Sequence, residues 1–337
     1  MKVLVANLAG PLEAYAPLTD AGHEIVFGRT DERAREPYTE GELLELCKDV
    51  SAVIGPPPAL GRSVLEACPQ LHTLVVPIIG YERVDLEAAT ELGVMVCNSP
   101  TPENFVSVAE SSIALMTMLA KRMKRKEARV RNGEWSQGSD RGFLLWQKTV
   151  GLVGLGRTGS EVAKRLVGWD VNLIAYDPYV AAERAQAMGV KMVDLETLMR
   201  ESDFVSIHVV VTPETYNMIG EEQLRMMKPG AYIVNTSRGE AIEEGALQRA
   251  IEENWIAGAA LDVFHQEPLP VDSPMRSLDR ERVIVTPHNI AHTEASLHAN
   301  RRLAVDSTLK ALNGEAPEPC VNPDVLPKWR RLAGSQG

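Results

Sequence analysis

The sequence predicts an α/β protein made of two lobes, each organised around a parallel sheet. Three observations predict it. Short apolar runs alternate with amphipathic stretches along most of the 337 residues, the rhythm of repeated βα units. One long helical stretch after Thr101 interrupts that rhythm, which then restarts. The length suffices for two separate cores.

Taken in order, Val3–Ala6, Ala52–Gly55, Thr73–Ile79 and Val94–Cys97 read as strands, with Leu43–Cys47 and Leu86–Leu92 in helical stretches between them. Thr101 can cap a helix, Pro102 suits its first position, and Glu103 favours the positive end of its dipole. The run from Asn104 to Arg131, ending at Asn132-Gly133, then predicts one long connector helix. Strands follow at Thr149–Val153, Asn172–Tyr176, Phe204–Val211, Ala231–Val234, Gly258–Leu261 and Val283–Thr286. Helices are expected at Thr158–Leu166, Ala181–Met188, Glu240–Glu253 and Glu294–Leu312. The proline-rich segment from Gly314 predicts an extended tail.

Composition bounds the function. Hydrophobic residues at 45% and charged residues at 24% describe a globular chain rather than a disordered one. A net charge of −11 disfavours a broad nucleic-acid surface. The basic stretch Lys121–Arg131 reads as a solvated helix face, since Met123, Ala128 and Val130 interleave its charges. Cys47, Cys68, Cys97 and Cys320 are scattered, with no CxxC pair, which points to reduced thiols and a cytoplasmic location. No metal-ligand spacing is present, and the apolar runs fall short of a membrane span.

The motif with the clearest chemistry is TVGLVGLGRTGSEVAKRL. A strand enters Gly154-Leu155-Gly156-Arg157-Thr158-Gly159 and a helix leaves it. Gly154 allows the tight turn, Gly156 lets backbone approach a diphosphate, and Gly159 lets helix pack on sheet. The diphosphate then meets free amides at the helix N-terminus. Asp177 ends the next strand, where a carboxylate can accept from both adenosine ribose hydroxyls and repel a 2′-phosphate. With no basic residue in Asp177-Pro178-Tyr179, NAD(H) is expected over NADP(H).

Three polar clusters end later apolar runs: Asn235–Gly239, Asp262–Pro268 and Thr286–His288. Ligands of open α/β sheets bind at the strands' carboxyl ends, so these clusters can converge on a nicotinamide. Ketone reduction needs a hydride donor, a proton donor and often a cation for a substrate carboxylate. Arg238 offers the planar fork, His288 the proton, and Glu267 a carboxylate to hold the imidazole.

With these residues in order, the chain resembles the D-isomer-specific 2-hydroxyacid dehydrogenases, which include glyoxylate/hydroxypyruvate reductases. The resemblance runs from the first strand through Pro323 and rests on TVGLVGLGRTG, HVVVTPET, LRMMKPGAYIVNTSRG, AALDVFHQEPLP and the TPH at His288. It implies two Rossmann-like lobes. Residues 1–100 with 290–337 would form a flavodoxin-like substrate-binding domain. Residues 101–289 would form the larger, doubly wound NAD-binding domain, with a crossover helix near 102–131. It also implies interconversion of a small 2-keto acid and a D-2-hydroxy acid, Arg238 binding the acid and His288 acting as acid or base beside Glu267. Asp262 would orient the nicotinamide carboxamide, Thr236 would line the nicotinamide side, and His208-Val209 would border the adenosine. A homodimer through the nucleotide-binding lobe is expected, without nucleic-acid or membrane partners.

The departures concern the substrate. The family's glycine-rich substrate loop reads here Ile78-Ile79-Gly80-Tyr81-Glu82-Arg83-Val84-Asp85, with Ile78 for a glycine and Glu82 for an aspartate. Val76 stands where several members carry a basic residue. Ile78, Ile79 and Gly80 are the expected substrate contacts, with Asn104, and a phosphorylated substrate is disfavoured. His292 is expected to cap the following helix rather than enter the site. Trp135, Trp146 and Trp329 are read as packing or interface residues, Trp329 having an alternative beside the site if the tail swings. Two other functions stay open: an NAD-sensing, corepressor-like regulator, and a formate- or phosphite-type dehydrogenase. The Arg238, Glu267 and His288 set argues against the first, and Glu267 before Pro268 against the second.

Overall fold

A computed structural model of the chain describes residues 1–7, 10–29, 37–135 and 141–329. Two compact units emerge, Met1–Asn104 with Thr293–Gly337, and Phe105–His292.

In the first unit the chain runs β1 (Lys2–Val5), α1 (Ala16–Asp20), β2 (Glu24–Phe27), α2 (Glu40–Cys47), β3 (Ala52–Ile54), α3 (Arg62–Ala67), β4 (Thr73–Val75), α4 (Leu86–Leu92) and β5 (Met95–Cys97). The strands form a parallel five-stranded sheet in the order β2-β1-β3-β4-β5. Apolar residues alternate between its faces. Leu4, Val53 and Leu74 join one core, while Val3, Val5, Ala52 and Ile54 join another, closed by helix Glu294–Leu312. Both faces are covered, which is why these strands lack a polar side. Sequence periodicity misses α1, β2 and α3: the two helices span only five and six residues, and Glu24–Phe27 is an edge strand with one exposed and three half-buried residues.

Several expectations are corrected in this unit. The strand predicted over Thr73–Ile79 ends at Val75, and the chain then turns through Ile78 and Ile79. The C-terminal segment from Gly314 is not a free extended tail. Cys320 forms an antiparallel bridge with Cys97, Pro323–Val325 makes a 3-10 turn, and Asn322 ties to Val96, Val94 and Thr90. Trp329 is fully buried, its indole N–H 3.4 Å from the Thr73 hydroxyl and its ring edge-on to His72. Burying so large a side chain far outweighs leaving it mobile. Residues beyond 329 lie outside those described. Thr293, not His292, caps helix Glu294–Leu312, its hydroxyl accepting from the Ser296 amide, and His292 is exposed. The Thr101 hydroxyl is directed to Asn300 Oδ1, at 2.5 Å.

The second unit begins within α5 (Pro102–Ala120) and continues α6 (Met123–Arg131), β6 (Thr149–Val153), α7 (Arg157–Leu166), β7 (Asn172–Tyr176), α8 (Ala182–Ala187), β8 (Lys191–Met192), α9 (Leu195–Glu201), β9 (Phe204–Ile207), α10 (Glu221–Met226), β10 (Tyr232–Asn235), α11 (Glu244–Glu252), β11 (Gly258–Leu261) and β12 (Val283–Val285). The predicted helix over Asn104–Arg131 is two helices. Arg122 adopts a left-handed conformation at φ 51, and the Ala120 carbonyl is taken by the Phe143 amide at 2.9 Å. The first helix buries Ala109, Ser112, Ile113, Met116, Leu119 and Ala120 at helical spacing, whereas α6 buries nothing. A continuous charge run concealed that break. Likewise, the helix expected over Glu240–Glu253 is a 3-10 turn, Gly239–Ala241, followed by α11, and the strand from Phe204 ends at Ile207.

The sheet is parallel throughout, in the order β12-β11-β10-β9-β6-β7-β8. Its chain starts at β6, winds outward through β7 and β8, then returns to β9 on the other side. The switch in winding direction therefore falls between β6 and β9, the place where such sheets bind ligands. Val153, Val205, Ile207, Ile233 and Leu261 fill one core; Val150, Leu152, Phe204, Tyr232 and Val234 fill the other. Among the described residues no helix is long and apolar enough to cross a membrane.

Candidate active site

The glycine loop leaves the carboxyl end of β6 beside the end of β9. Gly154 holds φ +95, and a Cβ there would stand 2.7 Å from the His208 carbonyl oxygen. Gly159 packs on the same turn, where a Cβ would come within 2.2 Å of the Gly154 carbonyl oxygen. Both positions need glycine for close approach. Gly156 differs: a Cβ there would meet nothing within 4 Å. Open space at Gly156, directly before the first residue of α7, fits a diphosphate lying against free amides. Arg157 and Thr158 form the first turn, and the Arg157 guanidinium lies over the Phe105 ring at 5.3 Å.

Asp177 closes the loop from the end of β7. Its Oδ2 accepts the Leu155 amide at 2.8 Å and its Oδ1 accepts the Tyr179 amide at 2.9 Å. Each carboxylate oxygen keeps further lone-pair capacity for a ribose hydroxyl. His208 lies on the other side of Gly154. Its Nε2 is 2.9 Å from Ser206 Oγ, and its Nδ1 is buried without a partner among the described residues. Burial lowers its pKa to about 4, so the ring is neutral near pH 7. Val209 follows half-buried, and Val210 is 72% exposed.

The polar clusters occupy the carboxyl ends of β10, β11 and β12. Asn235 closes the turn after β10: its Oδ1 accepts from the Ser237 amide and hydroxyl, and its amide donates to the Arg238 carbonyl at 2.8 Å. Thr236 is buried and its hydroxyl is 2.9 Å from that of Ser112 on α5. The Arg238 guanidinium is half-buried and donates to the Ser237 carbonyl at 2.7 Å.

Asp262 is 2% exposed at the end of β11. Its Oδ1 accepts from the Thr286 hydroxyl at 2.6 Å and the Asn289 amide at 3.2 Å, while Oδ2 accepts from the Ile290 amide at 3.2 Å. Its carbonyl accepts the His288 amide at 2.8 Å. Asp262 thus gathers the turn on which His288 stands with φ 50, a conformation that few non-glycine residues adopt. His288 Nδ1 is 2.6 Å from Glu267 Oε2, and the other Glu267 oxygen accepts the Phe264 amide at 3.0 Å. With Nδ1 committed to the carboxylate, Nε2 is the nitrogen left to exchange a proton.

A further contact joins these loops. His265 Nε2 is 2.7 Å from the Ile242 carbonyl oxygen, its amide donates to Glu244 Oε1 at 2.8 Å, and its ring meets Tyr216 edge-on. Gly239 presses on Phe264, where a Cβ would come within 2.1 Å of the carbonyl carbon. The Arg238 turn and the Glu267 loop are therefore held together by His265 and a glycine. His265 and Asn235 were visible in the quoted motifs without a role. Ser112 and Ser206 carried no signal, since an isolated serine on a helix or strand is unremarkable until its neighbour is known.

Arg238, Asp262, Glu267, His288 and the cofactor-loop residues all belong to the second unit. Ile78, Ile79, Gly80 and Asn104 belong to the first. There the Asn98 amide donates to the Ile79 carbonyl at 2.7 Å, the Ser99 amide donates to the Ile78 carbonyl at 2.9 Å, and the Ile78 side chain is exposed. Asp85 caps α4 through the Ala88 amide. Among the described residues no cluster of His, Cys, Asp or Glu could hold a metal ion.

Comparison with known proteins gives the same frame. Residues 113–289 match the NAD-binding domain of the D-isomer specific 2-hydroxyacid dehydrogenases. The chain is 40% identical over 292 residues to a D-3-phosphoglycerate dehydrogenase of Methanocaldococcus jannaschii, covering 86% of this chain and 55% of that protein. It is 36% identical over 295 residues to a glyoxylate reductase of Korarchaeum cryptofilum, covering 86% of this chain and 88% of that one. The chain thus spans about half of the first relative and most of the second. Among solved structures, the D-lactate dehydrogenase of Aquifex aeolicus with NAD and lactic acid superposes with a TM-score of 0.79 at 30% identity, over 94% of this chain and 96% of that one. The chain belongs to the D-isomer specific 2-hydroxyacid dehydrogenase family, a family of NAD-dependent enzymes.

Proposed function

We propose that this protein interconverts a 2-keto acid and a D-2-hydroxy acid, with NAD(H) preferred over NADP(H). The observation that carries the reading is the His288–Glu267 pair at 2.6 Å, standing on the turn that Asp262 gathers at the sheet's carboxyl end. When bound, the nicotinamide supplies or takes the hydride. Gly154, Gly156 and Gly159 accommodate the diphosphate, Arg157 and Thr158 border it, and Asp177 receives the adenosine ribose. His208 and Val209 border the adenosine, while Thr236 and Asp262 lie on the nicotinamide side.

Arg238 pairs with the substrate carboxylate and withdraws charge from the adjoining carbonyl. In reduction, His288 Nε2 gives a proton to the carbonyl oxygen as it becomes an alkoxide. In oxidation it removes that proton, with Glu267 balancing the imidazolium charge. Ile78, Ile79, Gly80 and Asn104 are proposed substrate contacts on the resemblance alone. The exposed Ile78 supports an unphosphorylated acid with an apolar side chain. A homodimer and a cytoplasmic location complete the reading. The homodimer is supported by Trp135 and Trp146, 81% and 52% exposed on the second unit, which a partner surface would cover.

The test is NADH oxidation against glyoxylate, hydroxypyruvate, pyruvate and longer or aromatic 2-keto acids. Turnover with one or more is expected. Tight NADH binding with no turnover on any of them would instead identify a cofactor-sensing regulator.

A further inference from the structure

A cavity lies at the opposite end of the sheet from the glycine loop, under the amino ends of β10, β11 and β12. Its volume is about 290 Å³, the size of a small ligand pocket. Pro229 and Ala257 present apolar surface over the buried Leu119 and Ile256, and Tyr232 and the guanidiniums of Arg122 and Arg282 supply donors.

The charges around it do not balance locally. Arg122, Lys124, Arg125, Arg280 and Arg282 outnumber Asp279 and Glu281 in a chain whose net charge is −11. Glu281 is answered by Arg125 at 3.3 Å. Arg282 commits three donors, to the Ala257 and Ile256 carbonyls and Asn254 Oδ1, and a guanidinium has five. The Arg122 side chain makes no hydrogen bond or ion pair among the described residues. Its backbone is held left-handed at φ 51 between α5 and α6, an arrangement that costs free energy and recurs at ligand sites. Tyr232 is buried by stacking on Phe143 and Phe204. Burial raises the pKa of its hydroxyl, while the charges of Arg122 and Arg282 pull it down, so both cations act on that hydroxyl.

We propose that this cavity is a second ligand site, separate from the cofactor loop, for a small carboxylate with an apolar body. The carboxylate would accept from Arg122, from the uncommitted donors of Arg282 and from the Tyr232 hydroxyl, and the body would lie against Pro229 and Ala257. The apolar wall is what favours an organic acid over a free inorganic anion.

Calorimetric titration of the full-length protein, saturated with NADH, tests this with benzoate, succinate and inorganic phosphate at constant ionic strength. Saturable binding of benzoate or succinate is expected. Arg122→Gln and Tyr232→Phe should each weaken it about tenfold, the loss of a charged or buried hydrogen bond. Arg238→Ala should leave it unchanged, which separates this cavity from the proposed active site whatever the enzyme's substrate proves to be. Circular dichroism establishes that each variant is folded, and Arg122, being exposed, serves if Tyr232→Phe is not. Absence of saturable carboxylate binding would overturn the proposal. So would undiminished binding in Arg122→Gln, loss in Arg238→Ala, or phosphate binding as tightly as benzoate.

Discussion

Asp177 Oδ2 accepts the amide of Leu155 at 2.8 Å, so the residue proposed to receive the ribose also buttresses the glycine loop. A substitution that removes the carboxylate tests both roles at once unless it is chosen with that bond in mind. Asp177→Asn keeps an oxygen for the Leu155 amide and loses the charge together with the acceptor for the Tyr179 amide. We expect its KM for NADH to rise about tenfold, the scale of one charge-assisted hydrogen bond, with a smaller change for NADPH. Asp177→Ala should weaken both cofactors, because the loop loses its support. An unaltered NADH-to-NADPH ratio in Asp177→Asn would remove Asp177 from cofactor selection.

The His288–Glu267 pair makes a prediction about rate rather than affinity. His288→Gln should lower kcat by roughly 10²- to 10⁴-fold, the usual worth of a positioned acid–base group, with NADH binding by fluorescence unchanged. Glu267→Gln retains an acceptor for the Phe264 amide and should lose less. Turnover in His288→Gln at the wild-type level across the pH range would mean that another group moves the proton.

If Arg238 and Glu267 act as proposed, the seam between the Arg238 turn and the Glu267 loop positions them. Gly239→Ala would push a methyl to within 2.1 Å of the Phe264 carbonyl carbon, and such overpacking costs about 1–3 kcal/mol. Its Tm and kcat should fall together. His265→Phe is more discriminating, because it keeps a ring against Tyr216 and loses the bond to the Ile242 carbonyl. It should reduce kcat about fivefold, the worth of one hydrogen bond of about 1 kcal/mol, and displace the pH profile of kcat. His265→Gln, which retains a donor, should recover most of the loss. A lowered Tm with an unmoved pH profile would reduce His265 to a purely structural role.

His208 gives a pH dependence of stability. Its folded pKa is lowered from 6.5 to about 4 by burial, so between those values the unfolded chain binds more protons than the folded one. The stability it contributes is fully present above pH 6.5 and is lost as pH falls through about 4. One such group gives a slope of at most about 1.4 kcal/mol per pH unit. His72, whose pKa burial also lowers, adds loss of the same sign. Urea unfolding of wild type and His208→Gln across this window should show a shallower slope in the variant. Equal slopes would place the acid sensitivity elsewhere.

Much of the proposed cofactor site was legible because its signals are local. Gly154, Gly156 and Gly159 follow a strand of β-branched and apolar residues and precede a helix, and Asp177 ends the next such strand. Each needs only its chain neighbours to be recognised. Arg238, Glu267 and His288 were nameable as a set because each follows an apolar run, and parallel strands deliver such ends to one edge of a sheet.

What tertiary structure decided depends on residues distant in sequence. The break at Arg122 follows from the Phe143 amide capturing the Ala120 carbonyl. The C-terminal segment, extended by its prolines, is instead drawn in by Cys97, Asn322 and the buried Trp329. Asp177 itself shows the division. Its place at the end of β7 was determined by the sequence alone, since strand period and a terminal acid are local properties. Its bond to the Leu155 amide was not, because that pairing exists only once β6 and β7 lie side by side.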